Sequence, residues 1–327
     1  IEKTYKITSN MQKTSSIIDI FVNVVDNYGD MGFACEFILA CQRGLGEECE
    51  YSIWTNDTHK VHRFVWQAWV MGVLIGDIID FWKMRKSAIW ISLLHSPIPN
   101  LDLFEEKALI LRIDYLSLDP IWIQNNEKEY ILSTPDRQII ELIPSPLIGS
   151  VGLIWPYSQI PKIDTPIEKH ITIFAYSEAL NYFDWESFPD DIFVYVFWKV
   201  NSERKNIIPL DHISIYDFYL LIDTSQFVII RGEVSFAHVI QGSIPFFWDM
   251  YKSIGGFPSE QSKQFLSMIE ANSEYREIHQ ILNGQKQWII AYKNILSALS
   301  WTRFPILQIQ DLILTVKKYI DRFHNSI

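Results

Sequence analysis

Two carboxylates stand four residues apart in the stretch Val24-Val25-Asp26-Asn27-Tyr28-Gly29-Asp30-Met31-Gly32. Acids so spaced on a glycine-bearing turn can grip a cation or take up a proton. A second group follows the apolar run Phe227 to Ile230, in Arg231-Gly232-Glu233-Val234-Ser235. A guanidinium, a hydroxyl and the unbonded N–H groups of a helix start together form a cradle for a pyrophosphate. Glu233 fits that cradle badly, because a carboxylate beside a diphosphate is repelled unless it is bonded to something else, such as a sugar hydroxyl. Plainer readings stand beside both. Asp26-Asn27 could be an Asx turn with Gly29 at positive φ, Asp30 the N-cap of a helix from Met31, and Glu233 and Ser235 ordinary first-turn residues.

Both groups need a strand that ends in a turn and a helix that leaves it. Ile17 to Val25 is almost unbroken β-branched and aromatic, the pattern of a strand buried on both faces. Phe33, Phe37, Ala40 and Cys41 then recur at helical spacing up to Gly44, which suits a C-cap. Tyr51 to Trp54, Val73 to Phe81, Ala88 to Leu94 and Leu109 to Leu116 read as further strands, and Lys60 to Val70 as a helix. Such alternation predicts a parallel sheet wrapped by helices. Pro135, Pro144, Pro146, Pro156, Pro161 and Pro166 break the periodicity. A second series opens at His170, with Ile171 to Tyr176 and Phe193 to Val200 as strands, then helices from Ser235 to Gly242 and from Leu312 to Phe323. The expected organisation is a disordered leader over residues 1–16, one α/β domain over 17–155 and a second over 156–327. In such sheets ligands bind at the carboxyl ends of the strands, which is where both groups fall.

The composition narrows the partners. Among 327 residues, 48% are hydrophobic and the net charge is -11, which argues against nucleic acid or an anionic membrane and suits a basic protein surface or a cationic side chain. Cys35, Cys41 and Cys49 are odd in number, so no disulfide framework is expected and a reducing cytoplasm fits. The apolar stretch Phe64 to Ile79 is interrupted by Gln67 and Asp77 and falls short of the roughly 20 residues a membrane span needs. Residues 1–16 lack a signal-peptide core, and Met11 could open the chain. No D-x-D pair or His/Cys cluster with ligand spacing is present, so no metal is expected.

The first stretch resembles the D-N-[FY]-G-D-[IM]-G signature of the EarP family, protein-arginine rhamnosyltransferases that modify bacterial translation elongation factor P. Asp114-Tyr115-Leu116-Ser117 is similar to that family's E-Y-L-S element, with Asp for Glu, and Phe174-Ala175-Tyr176 to its F-[AC]-Y. Arg231 to Phe236 resembles R-G-E-D-S-[FL], and Gly242, Pro245, Trp248 and Tyr251 keep the spacing of its A-G-x-P-x-x-W-x-x-Y continuation. The resemblance implies a GT-B type glycosyltransferase with two Rossmann-like domains facing across a cleft. It implies inverting transfer of L-rhamnose from dTDP-β-L-rhamnose to an arginine of elongation factor P, in the cytoplasm, without cofactor or metal. Asp26, Asp30 and Glu233 would then be catalytic. Asn27, Tyr28, Gly29, Phe174, Tyr176, Arg231, Gly232 and Ser235 would bind substrate, the two aromatics by stacking on the nucleotide base.

The acids suit that chemistry. An arginine has a pKa above 12 and an aspartate one near 4, so prior deprotonation would cost about 11 kcal/mol or more. The carboxylates would therefore orient the guanidinium and accept its proton late, as the C–N bond forms. The donor half departs from the pattern: Val234 stands for Asp, His212 and Ile215 for a stacking Phe and a Gln, and Asp249 and Lys252-Ser253 for His and Pro-Gln. Two other readings follow from these departures, a catalytically impaired paralogue that still docks elongation factor P, and a GT-B enzyme using another nucleotide sugar.

Overall fold

The computed structural model describes residues 16–25, 29–45, 49–59, 73–81, 87–94, 96–98, 107–118, 127–129, 137–147, 150–154, 169–211, 213–250, 259–304 and 311–326. The helix expected over Lys60 to Val70 lies outside them, as does the expected leader except Ser16, which opens the first strand.

The first apolar run forms β1 (Ser16–Val22), flanked by the parallel neighbours β2 (Cys49–Thr55) and β4 (Ile89–Leu93). Both faces of β1 are covered. Ile18, Ile20 and Val22 pack with Phe33, Phe37 and Cys41 of α1 (Gly29–Leu45), while Phe21 meets Trp54, Phe81 and Trp90 on the other side. With β3 (Val73–Asp77), β5 (Ala108–Ile113), β6 (Glu127–Glu129) and β7 (Arg137–Leu142), the strand order is β3-β2-β1-β4-β5-β7-β6. Only β6 runs antiparallel among these described strands.

Several strands are shorter than the apolar pattern suggests. Strand β3 ends at Asp77, whose carboxylate accepts the Ile79 N–H at 2.9 Å and turns the chain into a 3-10 turn over Ile78–Asp80. Strand β5 stops at Ile113; the Asp114 N–H still donates to the Leu142 carbonyl at 2.9 Å, and Leu116 beyond it reaches toward the other half. Conversely, β7 lies within the proline-marked segment read as irregular; Pro135 and Pro144 fall outside it, and its N–H groups are available to pair with β5.

The second sheet holds β8 (His170–Ile173), β9 (Phe193–Val196), β10 (Ile207–Pro209), β11 (Val228–Ile230) and β12 (Phe246–Trp248), all parallel, in the order β10-β9-β8-β11-β12. Its described helices are α2 (Ile215–Thr224), α3 (Glu233–Gly242), α4 (Ser259–Met268), α5 (Ser273–Leu282) and α6 (Tyr292–Trp301). Strands β8 and β9 end before Phe174 and Trp198, which places those aromatics in the loops beyond the carboxyl ends rather than inside the ladder.

The last helix, α7 (Leu312–His324), crosses back to the first half, where Leu312, Ile313, Val316, Ile320 and Phe323 join the β1–α1 core. Gly44, expected as a C-cap, lies inside the last turn of α1 and serves this approach: a Cβ there would sit 2.5 Å from Ile313 Cγ2. Leu116, Leu118 and Leu153 enter the second core, Val234 touches both cores, and the buried Glu36 carboxylate of α1 faces the Tyr219 hydroxyl of α2. Among the described residues, no helix is long and apolar enough to cross a membrane.

Candidate functional site

Each sheet reverses its strand order once beside its first strand, between β1 and β4 and between β8 and β11. Adjacent loops part at such points and leave a crevice at the carboxyl ends. Both residue groups singled out by their chemistry follow these strands.

At the first switch point, the chain leaving β1 is held at three successive amides. The Asn23 N–H donates to Ser96 Oγ at 2.6 Å, Val24 N–H to Asn56 Oδ1 at 2.7 Å and Val25 N–H to Asp30 Oδ2 at 2.7 Å. Asp30 is therefore not the helix cap. Helix α1 already begins at Gly29, and the Asp30 carboxylate, only 6% exposed, folds back onto the end of β1. Asp26, Asn27 and Tyr28 lie outside the described residues, but the chain on either side of them is fixed by these bonds. Asn56 and Ser96 carried no signal in the sequence, since a lone polar residue after a strand is commonplace.

At the second, Arg231 leaves β11 and Gly232 has φ 73° and ψ 160°, a conformation for which glycine is needed. Nothing lies within 4 Å of where its Cβ would be, so backbone conformation and not crowding requires the glycine. Helix α3 starts immediately afterwards, two residues earlier than its apolar pattern suggested, and no side chain caps it. Its first-turn N–H groups open at the carboxyl end of the sheet, with Ser235, the third residue of the helix, buried beside them.

Glu233 ties the second switch point to the chain that follows β5. Its Oε2 accepts the Leu116 N–H at 2.8 Å, and the Leu116 carbonyl accepts Gln261 Nε2 of α4 at 3.1 Å. The Asp114 to Ser117 segment is thus clamped onto the second half. Burial pushes the Glu233 carboxyl up from 4.5 to about 8; the Leu116 N–H opposes the rise, and the nearby Asp114 and Asp30 carboxylates add to it. At neutral pH the side chain is mostly an acid with an O–H to donate. This removes the mismatch seen in the sequence, because a neutral carboxyl can stand beside a diphosphate or bond a sugar hydroxyl without repulsion.

Arg231 lies within three rings, its guanidinium carbon 4.6 Å from the Phe174 centroid, 4.7 Å from Tyr176 and 5.5 Å from Trp198. Phe174 and Tyr176, expected to stack on a nucleotide base, stand around this cation. The reason is their position in the loop after β8, directly beside the Arg231 of β11's end. Trp198 is missed by the sequence reading because it sits in the all-apolar run taken as a strand. Asp249, read as a departure in the donor half, is fully buried, and its carboxylate accepts the Tyr176 N–H at 2.6 Å. His212, Tyr251, Lys252 and Ser253 lie outside the described residues. Among the described residues no cluster of three His, Cys, Asp or Glu side chains could hold a metal ion.

No protein-family model matches the chain, and no curated protein matches it in sequence. Solved structures do match in shape. A spinosyn rhamnosyltransferase complexed with thymidine diphosphate aligns over 93% of this chain and 99% of its own, at 10% identity and a TM-score of 0.51. A putative UDP-N-acetylglucosamine 2-epimerase from Listeria monocytogenes aligns over 96% and 97%, at 9% identity and a TM-score of 0.50. The fold is GT-B. A structure described as the basis for EarP-mediated arginine glycosylation of elongation factor EF-P aligns over 95% and 94% at 14% identity, but its TM-score of 0.49 is too low to weigh in the argument. At these identities the likeness fixes the GT-B architecture, two Rossmann-like halves with a cleft between the carboxyl ends of their sheets, and leaves the chemistry to the residues.

Proposed function

We propose that the chain is an inverting glycosyltransferase that moves L-rhamnose from dTDP-β-L-rhamnose to an arginine side chain of translation elongation factor P. The observation that supports this reading is the Glu233 bridge, which ties the chain after β5 to the open start of α3, with the Asp30 and Asp114 carboxylates close enough to act on the Glu233 carboxyl. An acidic end for a cationic acceptor thereby meets a cationic end for a diphosphate. The resemblance of the two motifs supports the specific substrates, as does the thymidine diphosphate bound by a rhamnosyltransferase of similar fold.

In this scheme Asp26 and Asp30 orient the guanidinium and one of them takes its proton late in C–N bond formation. Asp30 holds its place through the Val25 N–H. Arg231, Ser235 and the α3 N–H groups stabilise the departing diphosphate, and protonated Glu233 donates to the sugar or to the diphosphate. Asn27, Tyr28 and Gly29 shape the acceptor turn. No step needs a metal ion.

A different nucleotide sugar is the second reading, favoured by Val234 packing between the two cores where the family pattern has a polar contact to the donor. Release of nucleoside diphosphate tests both. With elongation factor P present, dTDP-β-L-rhamnose yields dTDP and UDP- or GDP-sugars do not; turnover of a UDP- or GDP-sugar instead would favour the second reading.

A further inference from the structure

We propose that Phe174, Tyr176 and Trp198 form a cage that positions the Arg231 guanidinium as the anchor for a nucleotide's diphosphate, making Trp198 a positioning residue and not a platform for the base. The proposal rests on the reading of the cleft as a nucleotide-sugar site. Each wall of the cage is itself fixed. The Phe174 ring meets the Phe197 and Phe218 rings edge-on, at 5.2 and 5.0 Å between centroids. The Trp198 indole N–H donates to the Ala175 carbonyl at 2.9 Å, and the Tyr176 backbone is tied to the buried Asp249 carboxylate.

Rings hold a guanidinium differently from an acid. Ring contacts do not neutralise its charge, so its N–H groups can still serve an anionic partner. Among the described residues no carboxylate pairs with Arg231, so its positive charge remains available to phosphate. Its place one residue before Gly232 sets it beside the uncapped start of α3, where a diphosphate would also meet backbone N–H groups. A base stacked on Phe174 or Tyr176 would share those rings with Arg231. Trp198, 44% exposed, forms the outer wall and can be changed without opening the core.

The test compares each nucleoside diphosphate with its parent nucleoside: dTDP with thymidine, UDP with uridine and GDP with guanosine. Calorimetry measures the diphosphates and ligand-observed NMR the nucleosides, on the wild type and on Trp198→Ala, Trp198→Phe and Arg231→Gln. Trp198→Ala is expected to weaken the diphosphate that binds the wild type about five- to tenfold and to leave its nucleoside unchanged. Trp198→Phe restores most of the loss. In an Arg231→Gln background, where the cation is gone, Trp198→Ala has no further effect. Unchanged melting curves exclude misfolding. Equal losses for nucleoside and diphosphate would make Trp198 a base platform and overturn the proposal, as would no loss at all. Binding of none of the three diphosphates to the wild type would instead overturn the nucleotide-sugar reading, and the cage proposal with it.

Discussion

Replacing Glu233 by Gln keeps an oxygen for the Leu116 N–H and removes the ionisable group, so the two proteins should differ mainly in how stability follows pH. In the folded chain the carboxyl titrates near 8 and in the unfolded chain near 4.5. Between those values the folded state holds a proton that the unfolded state has lost, so stability falls as pH rises through the window and is level again above it. At about 1.4 kcal/mol per unit the full rise amounts to about 5 kcal/mol. Urea denaturation at steps from pH 5 to pH 9 measures it, and titrations common to both proteins cancel in the difference. The wild type is expected to lose about 4 kcal/mol relative to Glu233→Gln across that range. A difference that stays constant with pH would mean that Glu233 is an ordinary anion in the cleft, and its role as a hydrogen-bond donor would fall.

Other substitutions probe the supports of the site. Gly232→Ala should cost about 1–3 kcal/mol through its backbone conformation alone, read from the denaturation midpoint, because nothing stands near the added Cβ. Gly44→Ala should cost a similar ~1–3 kcal/mol through the clash with Ile313, and the same change made on an Ile313→Ala background should cost little more. Asp30→Ala strands the Val25 N–H and should destabilise by about 1–2 kcal/mol, whereas Asp30→Asn keeps an acceptor and stays near wild-type stability. Both should abolish transfer, which separates the chemical role of Asp30 from its part in the turn.

The architecture was legible where the pattern is local. Alternating apolar runs announce two parallel sheets, and the acids at Asp26 and Asp30 and the Arg231–Ser235 turn stand out because each follows such a run and precedes a helix. What joins these pieces is not local. The Glu233 bond to Leu116 links residues 117 positions apart, and the Tyr176 amide meets Asp249 across 73. The cage around Arg231 draws on two loops, one holding Phe174 and Tyr176 and the other Trp198, and no spacing rule connects them. Their aromatic character pointed to stacking, but the nearest flat partner is a guanidinium of the same chain. Strand β7 was hidden among prolines that flank it without interrupting it, and the return of α7 depends on a glycine whose small size could not be told from a helix-ending role.

Transfer of rhamnose to a protein arginine is read directly by the intact mass of the acceptor. Elongation factor P from the same organism would be incubated with this protein and dTDP-β-L-rhamnose, beside an Asp30→Asn control. The account predicts one added deoxyhexose, mapped by fragmentation to an arginine, with the wild type and none with the variant. An unmodified acceptor, with dTDP bound and the protein folded, would contradict the assigned acceptor; a deoxyhexose added equally by Asp30→Asn would contradict the role given to the acidic turn.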